Sequence, residues 1–341
     1  MWRRETTGAI PRCNCKPLAR ARFLRGLPVV GPGQQELTQA FAEAALPRIV
    51  FVFGKGGVGR STVAAALGLA RARRERVLIV EWAVADCIGP WFGSASAGPV
   101  PAEIAPHLAV ENFSIDEALR AYFVDHLHMG FLYRSVIHSR AVARMLAVAP
   151  GLAEMFFLGQ LWWLITLAER EAGLVFDRII VDAPATGHGA SMLDVPATVA
   201  GMSVAGLLAT ETARVVGMME DPARVGALVV TLPEPLVADE TTALIERLTA
   251  RLARPPLALI VNRSAAAIAG PAPWLPALAA PLSPSTRTAV AELHGELEAR
   301  NEVERALRGT APCPVLSLPE LPGRSPLEIV RAVAEAFAEA R

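Results

Sequence analysis

A glycine-rich segment near residue 55 carries the clearest chemistry in this sequence. Glycines at four positions allow a tight loop whose backbone N–H groups converge on one point, and a following helix adds its positive dipole end there. Such a nest binds phosphate groups, and a hydroxyl behind it supplies a ligand for Mg²⁺. The segment comprises Gly54, Lys55, Gly56, Gly57, Val58, Gly59, Arg60, Ser61 and Thr62. We expect this loop to bind ATP or ADP, with Ser61 as a Mg²⁺ ligand.

The sequence on either side of the loop fits such a site. Residues 48–53 form an apolar run typical of a buried strand, and an Ala-rich stretch with helical periodicity extends from the loop to about Arg74. A strand before the loop and a helix after it are the context that the Walker A phosphate-binding motif requires. The motif is therefore supported by its surroundings as well as by its residues.

Further along the chain, short apolar runs alternate with helical stretches. This alternation predicts an α/β fold with a doubly wound, mostly parallel sheet and helices on both faces. A Pro/Ala-rich loop at 271–284 precedes a helix expected from about Ser285 to Leu307. The apolar runs are VLIV, DRIIVD, ALVVTL, PLALIVN and PVLSL.

The region between about residues 112 and 175 lacks convincing strands and predicts a helical subdomain inserted into an α/β domain of residues 46–341. Residues 1–45 are basic, without helical or strand periodicity, and are expected to form a loosely ordered extension. Such an extension, or a misplaced start codon, is favoured over a basic tail that contacts acidic partners or lipid. The expected helices of the insertion are Ala118–His128, Arg140–Val148 and Leu152–Glu171.

Composition excludes several classes of protein. The 341 residues are 52% hydrophobic, and 33 basic residues balance 33 acidic ones, so a large core is expected and no global field favours nucleic acid or an anionic membrane. The longest uncharged apolar runs, 155–168 and 195–210, are shorter than the roughly 20 residues of a membrane span. The four cysteines are scattered and no signal peptide is evident, which favours a reducing cytoplasm. We interpret the cysteines as incidental small hydrophobic residues.

Two basic residues of the loop depart from the usual motif. Lys55 directly follows the first glycine and is one of only two lysines in the chain, which suggests that a compact ammonium is needed there, although chance survival is the alternative. Arg60 stands where the motif usually has its lysine. Because a guanidinium is longer, planar and forked, we expect weakened hydrolysis, with nucleotide binding retained through the backbone.

The segment DAPATGH at residues 182–188, together with the deviant loop, resembles the ArsA-like ATPases, which include arsenite pumps and guided-entry ATPases for tail-anchored membrane proteins. The resemblance covers most of residues 48–335. It implies that Asp182 belongs to the Mg²⁺ site and that Lys55 reaches across a dimer interface to the partner's nucleotide. It also implies that Asn262 recognises adenine, although asparagine is equally common in a turn that ends a strand. The implied switch residues are Thr186, Gly187 and His188.

The segment after VLIV departs from this family. Ala83 occupies the position of the usual water-orienting carboxylate, and its methyl group can neither accept a proton nor align a water molecule. Glu81 could partly substitute for it, and Asp86 is a more distant candidate. The predicted catalytic residues are therefore Lys55, Asp182 and Glu81. The family's zinc-bridging Cys-x-x-Cys is absent, and the one-residue spacing of Cys13 and Cys15 suits zinc poorly.

Residues 155–165 form an expected helix that is apolar nearly all round. Such a helix could line a groove for an apolar client helix, but core packing or a subunit interface is favoured because large exposed apolar patches are rare. Trp162 and Trp163 are adjacent and point to different faces, so we expect at least one of them to meet a partner.

These observations predict an ArsA-like ATPase that binds MgATP at a dimer interface and couples nucleotide state to its helical subdomain. The alternative is a non-hydrolysing regulatory subunit that pairs with an active paralogue. A heterodimer is favoured over a homodimer, because a paralogue could complete one working site. A MinD-like surface switch fits less well, since residues 325–341 lack the basic amphipathic face of a membrane-binding helix.

Overall fold

The computed structural model describes residues 45–82, 86–94, 98–115, 118, 151–184, 191–201, 206–264 and 283–338. The strands are β1 (Ile49–Gly54), β2 (Val77–Glu81), β3 (Ala102–Ala105), β4 (Leu108–Asn112), β5 (Arg178–Asp182), β6 (Val225–Thr231), β7 (Ala258–Ser264) and β8 (Val315–Pro319). The helices are α1 (Arg60–Arg71), α2 (Ile88–Trp91), α3 (Leu152–Thr166), α4 (Ala168–Ala172), α5 (Val195–Gly201), α6 (Leu207–Glu220), α7 (Pro235–Leu252), α8 (Pro284–Thr310) and α9 (Pro326–Ala338).

The eight strands form one sheet in the order β3-β4-β2-β5-β1-β6-β7-β8. All neighbouring pairs are parallel except β3 with β4. The chain adds strands first on one side of β1 and then on the other, so β1 lies where the direction of winding reverses. Ligands of open α/β sheets bind outside the carboxyl ends of the strands at this reversal. The α/β fold class expected from the sequence is confirmed.

The core lies on both faces of the sheet because alternate residues of each strand point to opposite sides. On β1, Phe51 and Phe53 pack on one face with α3 and α6, which we call the α3 face. Val50 and Val52 pack on the other face with α1 and α9, which we call the α1 face. Burial on both faces explains why the parallel strands appear in the sequence as continuous apolar runs.

The structure adds details that the sequence did not predict. Strands β3 and β4 were not expected, and the helix expected over Leu152–Glu171 is broken at Leu167 into α3 and α4. The helix expected from Ser285 spans Pro284–Thr310. The expected extension before residue 45 lies outside the described residues, as do nearly all of 118–128 and the whole of 140–148. The inserted subdomain therefore stays a prediction.

Candidate nucleotide site

The glycine-rich loop joins the carboxyl end of β1 to the start of α1. A Cβ on Gly54 would lie 2.4 Å from the backbone oxygen of Val230 on β6, so only glycine permits this close approach. Gly57 and Gly59 have φ values of 85° and 98°, in the left-handed region that favours glycine. Backbone requirements thus account for three glycines that the sequence assigned to a phosphate nest.

Asn262 near the end of β7 lies directly against this loop. Its Nδ2 donates a 2.8 Å hydrogen bond to the backbone oxygen of Val58, and its Oδ1 accepts one of 2.9 Å from the N–H of Arg263. A Cβ on Gly59 would lie only 2.3 Å from the same Nδ2. The contact fixes the loop against β7 and uses one of the two amide hydrogens. Recognition of adenine by Asn262 stays a prediction.

Ser61 and Asp182 meet at the carboxyl edge of the sheet, as the motifs indicated. The Ser61 hydroxyl donates a 2.5 Å hydrogen bond to Oδ2 of Asp182, which is paired in register with Val52 of β1. Asp182 is buried, and its Oδ1 has no hydrogen-bond partner among the residues that the structure describes. Burial raises its pKa, while the Ser61 hydrogen bond and the Arg60 charge act in the opposite direction. Hydroxyl and carboxylate oxygens are preferred ligands of Mg²⁺, so these two residues fit the expected cation.

Arg60, the first residue of α1, binds the chain just after Asp182. Its Nη1 donates to the backbone oxygen of Ala183. Burial lowers the pKa of Arg60, and the charge of Asp182 opposes that shift. Nη1 of the guanidinium therefore contacts the segment that follows β5.

Glu81 at the end of β2 is fully buried and paired in register with Asp182. Its Oε1 accepts hydrogen bonds of 3.1 Å from the backbone N–H groups of Cys87 and Ile88, whereas no described residue bonds to its Oε2. Burial raises the pKa of Glu81 to about 7; the two hydrogen bonds lower it, and the charges of Asp182 and Asp86 raise it further. Glu81 is thus a buried carboxyl beside the predicted cation site.

Lys55 makes an ion pair within its own chain. Its Nζ lies 2.8 Å from Oε1 of Glu240 on α7, and the two side chains are 36% and 43% exposed. The ammonium therefore lies on α7 at the rim of the loop. Glu240 carried no signal in the sequence, because the two residues are 185 positions apart and belong to different elements.

The remaining predicted site residues lie outside the described part of the chain. They are Ala83 and the switch residues Thr186, Gly187 and His188. Asp86, the more distant substitute for the missing carboxylate, accepts a 2.7 Å hydrogen bond from Asn112 through its Oδ1. This bond ties it to the end of β4.

On the α3 face, three aromatic rings close over the end of β2. The ring centroids of Trp82, Phe113 and Phe157 lie 4.8 to 5.1 Å from one another. Phe157 of α3 is fully buried, and Phe113 also donates its N–H to the backbone oxygen of Glu81 at 2.7 Å. The apolar helix anticipated from the sequence thus packs into the core of its own chain, next to the strand end that carries Glu81.

The two adjacent tryptophans of α3 are both partly buried against this core. The guanidinium of Arg214 lies 5.0 Å from the Trp162 ring centroid, and Trp163 donates a 2.7 Å hydrogen bond to Glu171. Both indoles therefore have contacts within the chain. Contact of either one with a partner stays a prediction.

Glu111 on β4 is a second buried carboxyl that the sequence analysis did not single out. It is 2% exposed on the α3 face, and its Oε1 accepts a 3.0 Å hydrogen bond from Gln160 of α3. Burial raises its pKa to about 8. A glutamate within the short segment LAVEN was the available signal in the sequence.

Among the described residues, no three or more histidine, cysteine, aspartate or glutamate side chains are grouped so as to hold a metal ion by themselves. No helix in that part of the chain combines the length and apolar character needed to cross a membrane. Cys87 is exposed and Cys313 is half-buried. The expected cation site is therefore the one that Ser61 and Asp182 form at the loop.

A glycine-rich loop between the central strand and a helix, beside a strand-end aspartate bonded to the loop's serine, defines the class of P-loop NTPases. Residues 47–205 match the family model described as anion-transporting ATPase. The resemblance to the ArsA-like ATPases that the motifs indicated is therefore confirmed over these residues.

Individual relatives agree with the family match. The chain is 33% identical over 226 residues to a putative ATPase of Mycobacterium bovis and to the ATPase BagA of Mycobacterium tuberculosis, covering 64% of this chain and 65% of each relative. It is 30% identical over 158 residues to an arsenical pump-driving ATPase of Acidiphilium multivorum, covering 44% of this chain and 26% of that protein. The alignments thus span less than two thirds of each relative.

Proposed function

We propose that this chain is an ArsA-like ATPase of the cytoplasm that binds Mg-ATP or Mg-ADP in the glycine-rich loop. The observation that carries the proposal is the Ser61–Asp182 pair, because it brings a hydroxyl and a buried carboxylate with an unpartnered oxygen to the loop. Bound Mg²⁺ would supply charge neutralisation of the phosphates. The loop backbone holds the phosphates, and Asn262 fixes that backbone against β7.

Thermal unfolding of the full chain with and without nucleotide tests this proposal. A ligand at a hundred times its Kd stabilises the folded state by about 2.7 kcal/mol, so Mg-ADP should raise Tm by several degrees. Ser61→Ala should reduce the shift in Mg²⁺ more than in EDTA, because it removes a cation ligand. A folded wild-type chain whose Tm does not move at saturating nucleotide would refute nucleotide binding.

Hydrolysis by the isolated chain is proposed to be slow. Arg60 donates to Ala183, and Ala83 replaces the water-orienting carboxylate. Arg60→Lys and Ala83→Asp together should raise kcat by more than the product of their separate effects, because both act on one transition state. A wild-type chain that already hydrolyses ATP as fast as this double variant would contradict the proposal. Such a result would favour Glu81 as the group that orients the water.

A second candidate function is a regulatory subunit that does not hydrolyse ATP and pairs with an active paralogue. The position of Lys55 favours it, because the ammonium pairs with Glu240 on α7, where a facing subunit could reach it. Light scattering with and without nucleotide, and then with a paralogue that has Lys and Asp at positions 60 and 83, tests association. Lys55→Ala should abolish partner-stimulated hydrolysis. A monomer under every condition would contradict the subunit role.

Binding of an apolar client helix gains no support from α3. Phe157, Leu158 and Leu161 are fully buried against the sheet and therefore offer no groove. Coupling of nucleotide state to the helical region is still part of the proposal, because Trp82 directly follows Glu81 and contacts Phe157.

A further inference from the structure

Glu81 and Asp182 form a pair of carboxyl groups on one face of the sheet. They lie opposite each other in the parallel register of β2 and β5, where adjacent strands are roughly 4.8 Å apart. Ile79 and Ile180 pack on the α1 face. Because side chains alternate along a strand, Glu81 follows Ile79 onto this face and Asp182 follows Ile180. Ser61, which bonds to Asp182, belongs to α1 on the same side.

Each of these carboxyl groups keeps one oxygen without a hydrogen-bond partner among the described residues. These buried oxygens are Oε2 of Glu81 and Oδ1 of Asp182. A buried polar atom left unpaired costs about 1–3 kcal/mol, and more when it is charged. Two such atoms on directly paired positions suit a bound group that satisfies both, because no described residue does so.

The local charges point to a cation as that group. The charges that act on Glu81 are those of Asp182 and Asp86, both negative. The positive charge of Arg60 acts on Asp182 but is not among the charges that act on Glu81, and the Arg60 guanidinium donates to Ala183. Two like charges this close are unfavourable unless a proton or a cation lies between them. Hydroxyl and carboxylate oxygens suit a hard divalent cation such as Mg²⁺ or Mn²⁺.

We propose that Glu81 is a third protein ligand, direct or through one water molecule, of the divalent cation held by Ser61 and Asp182. The inference rests on the proposed function, since the cation site is that of the nucleotide loop. The hydrogen bonds from the start of α2 explain the position of Oε1 of Glu81, but they do not involve Oε2, which is therefore available to the cation. Asp86 is a weaker candidate ligand because its Oδ1 is bonded to Asn112.

With two carboxylates, the site binds a divalent cation before nucleotide arrives. Electron paramagnetic resonance of Mn²⁺ titrated into the full chain without nucleotide measures this binding directly. The amide oxygen of Glu81→Gln can still accept the two N–H groups of α2, so this variant removes charge while keeping that contact. Glu81→Gln should raise the Kd for Mn²⁺ at least tenfold, and Asp182→Asn should raise it further.

Glu111→Gln is the matched control, because it removes a buried carboxyl from the neighbouring strand on the opposite face. It should leave the Kd for Mn²⁺ unchanged. Glu81→Asp keeps the charge on a shorter side chain, so its Kd for Mn²⁺ should lie between those of the wild type and Glu81→Gln. This second variant decides the question if Glu81→Gln does not fold. A wild-type chain that binds no Mn²⁺ without nucleotide, or a folded Glu81→Gln with the wild-type Kd, overturns the inference.

Binding of a fluorescent ADP analogue in EDTA separates this inference from the proposed function. Glu81→Gln should bind the analogue in EDTA as the wild type does, because the loop backbone is unchanged. If Mn²⁺ affinity is unaffected by Glu81→Gln while the analogue binds, only the role of Glu81 is wrong. If the wild type fails to bind the analogue in both EDTA and Mg²⁺, nucleotide binding itself is refuted.

Discussion

Glu81 and Glu111 are buried carboxyl groups on neighbouring strands, yet their surroundings differ. Glu81 ends its strand on the α1 face, next to Asp182 and the nucleotide loop. Glu111 lies one residue before the end of β4 on the α3 face, where it accepts a hydrogen bond from Gln160. Burial raises the pKa of both groups. Burial alone therefore does not distinguish the two carboxyl groups; they differ in that Glu81 lies beside the proposed nucleotide loop.

The same contrast extends to the two faces at this edge. The α1 face gathers the polar side chains of Glu81, Asp182 and Ser61 at the strand ends, whereas the α3 face closes over the end of β2 with aromatic rings. We therefore expect substitutions on the α3 face to change stability and those near the loop to change ligand binding.

Phe157→Ala should have the largest effect on stability. It removes a fully buried ring that contacts both Trp82 and Phe113, so the free energy of unfolding should fall by about 3–5 kcal/mol. Urea denaturation measures this change. Leu293→Ala, at a side chain that is 47% exposed, is the control and should cost less than about 0.5 kcal/mol. Similar losses for the two variants would contradict the packing of α3 described here.

Gly59→Ala should have the next largest effect, and it should act on nucleotide affinity. The added Cβ must displace the Asn262 amide and adopt a left-handed φ, so the Kd for Mg-ADP should rise at least tenfold. Calorimetric titration measures it. Gly57→Ala has similar strain without the clash and should lose less affinity. Adding Asn262→Ala to Gly59→Ala should restore part of the loss; no recovery would mean that the clash with Asn262 is not the cause.

Glu111→Gln should have a smaller effect that depends on pH. Since the pKa of the folded state is raised from 4.5 to about 8, the folded protein holds the proton more tightly and wild-type stability should fall as pH rises between these values. The variant lacks this proton, so its Tm should depend less on pH. At pH 8 the variant should be more stable than the wild type by about 1–2 kcal/mol, because it has no buried carboxyl to ionise. The gain is limited because its amide must still be buried. Parallel Tm profiles from pH 5 to 8 would contradict a buried titrating Glu111.

Six of the parallel strands, β1, β2 and β5 to β8, were predictable because each is largely buried on both faces and contains a continuous apolar run. Strands β3 and β4 were not, since AEIA is half-exposed at the sheet edge and LAVEN contains a glutamate whose burial depends on Gln160. The break at Leu167 was also hidden, because residues on both sides favour helix. Local sequence specifies these elements only weakly, and tertiary contacts decide them.

The candidate site was predictable where a motif specifies both the backbone conformation and the side chains that face the ligand. The approach of Ser61 to Asp182 follows from a loop and a strand end at the same edge of a parallel sheet. The contacts of Lys55 with Glu240, Arg60 with Ala183 and Asn262 with Val58 join residues 185, 123 and 204 positions apart. No local pattern encodes such pairs, since they depend on which elements the fold brings together.

Because lysine is scarce, a lysine-specific protease can probe the glycine-rich loop selectively. Lys55 and Lys16 are the only lysines, and Lys16 precedes proline, whose peptide bond resists most proteases. A lysine-specific endoprotease should therefore cut the chain at one place, between Lys55 and Gly56, and give fragments 1–55 and 56–341 on a denaturing gel. Because loop tips are preferred sites of proteolytic nicking and the Lys55 side chain is 36% exposed, cleavage should be efficient in the free protein. The amount of uncleaved chain that remains after digestion therefore reports whether the loop is accessible or protected by a bound ligand.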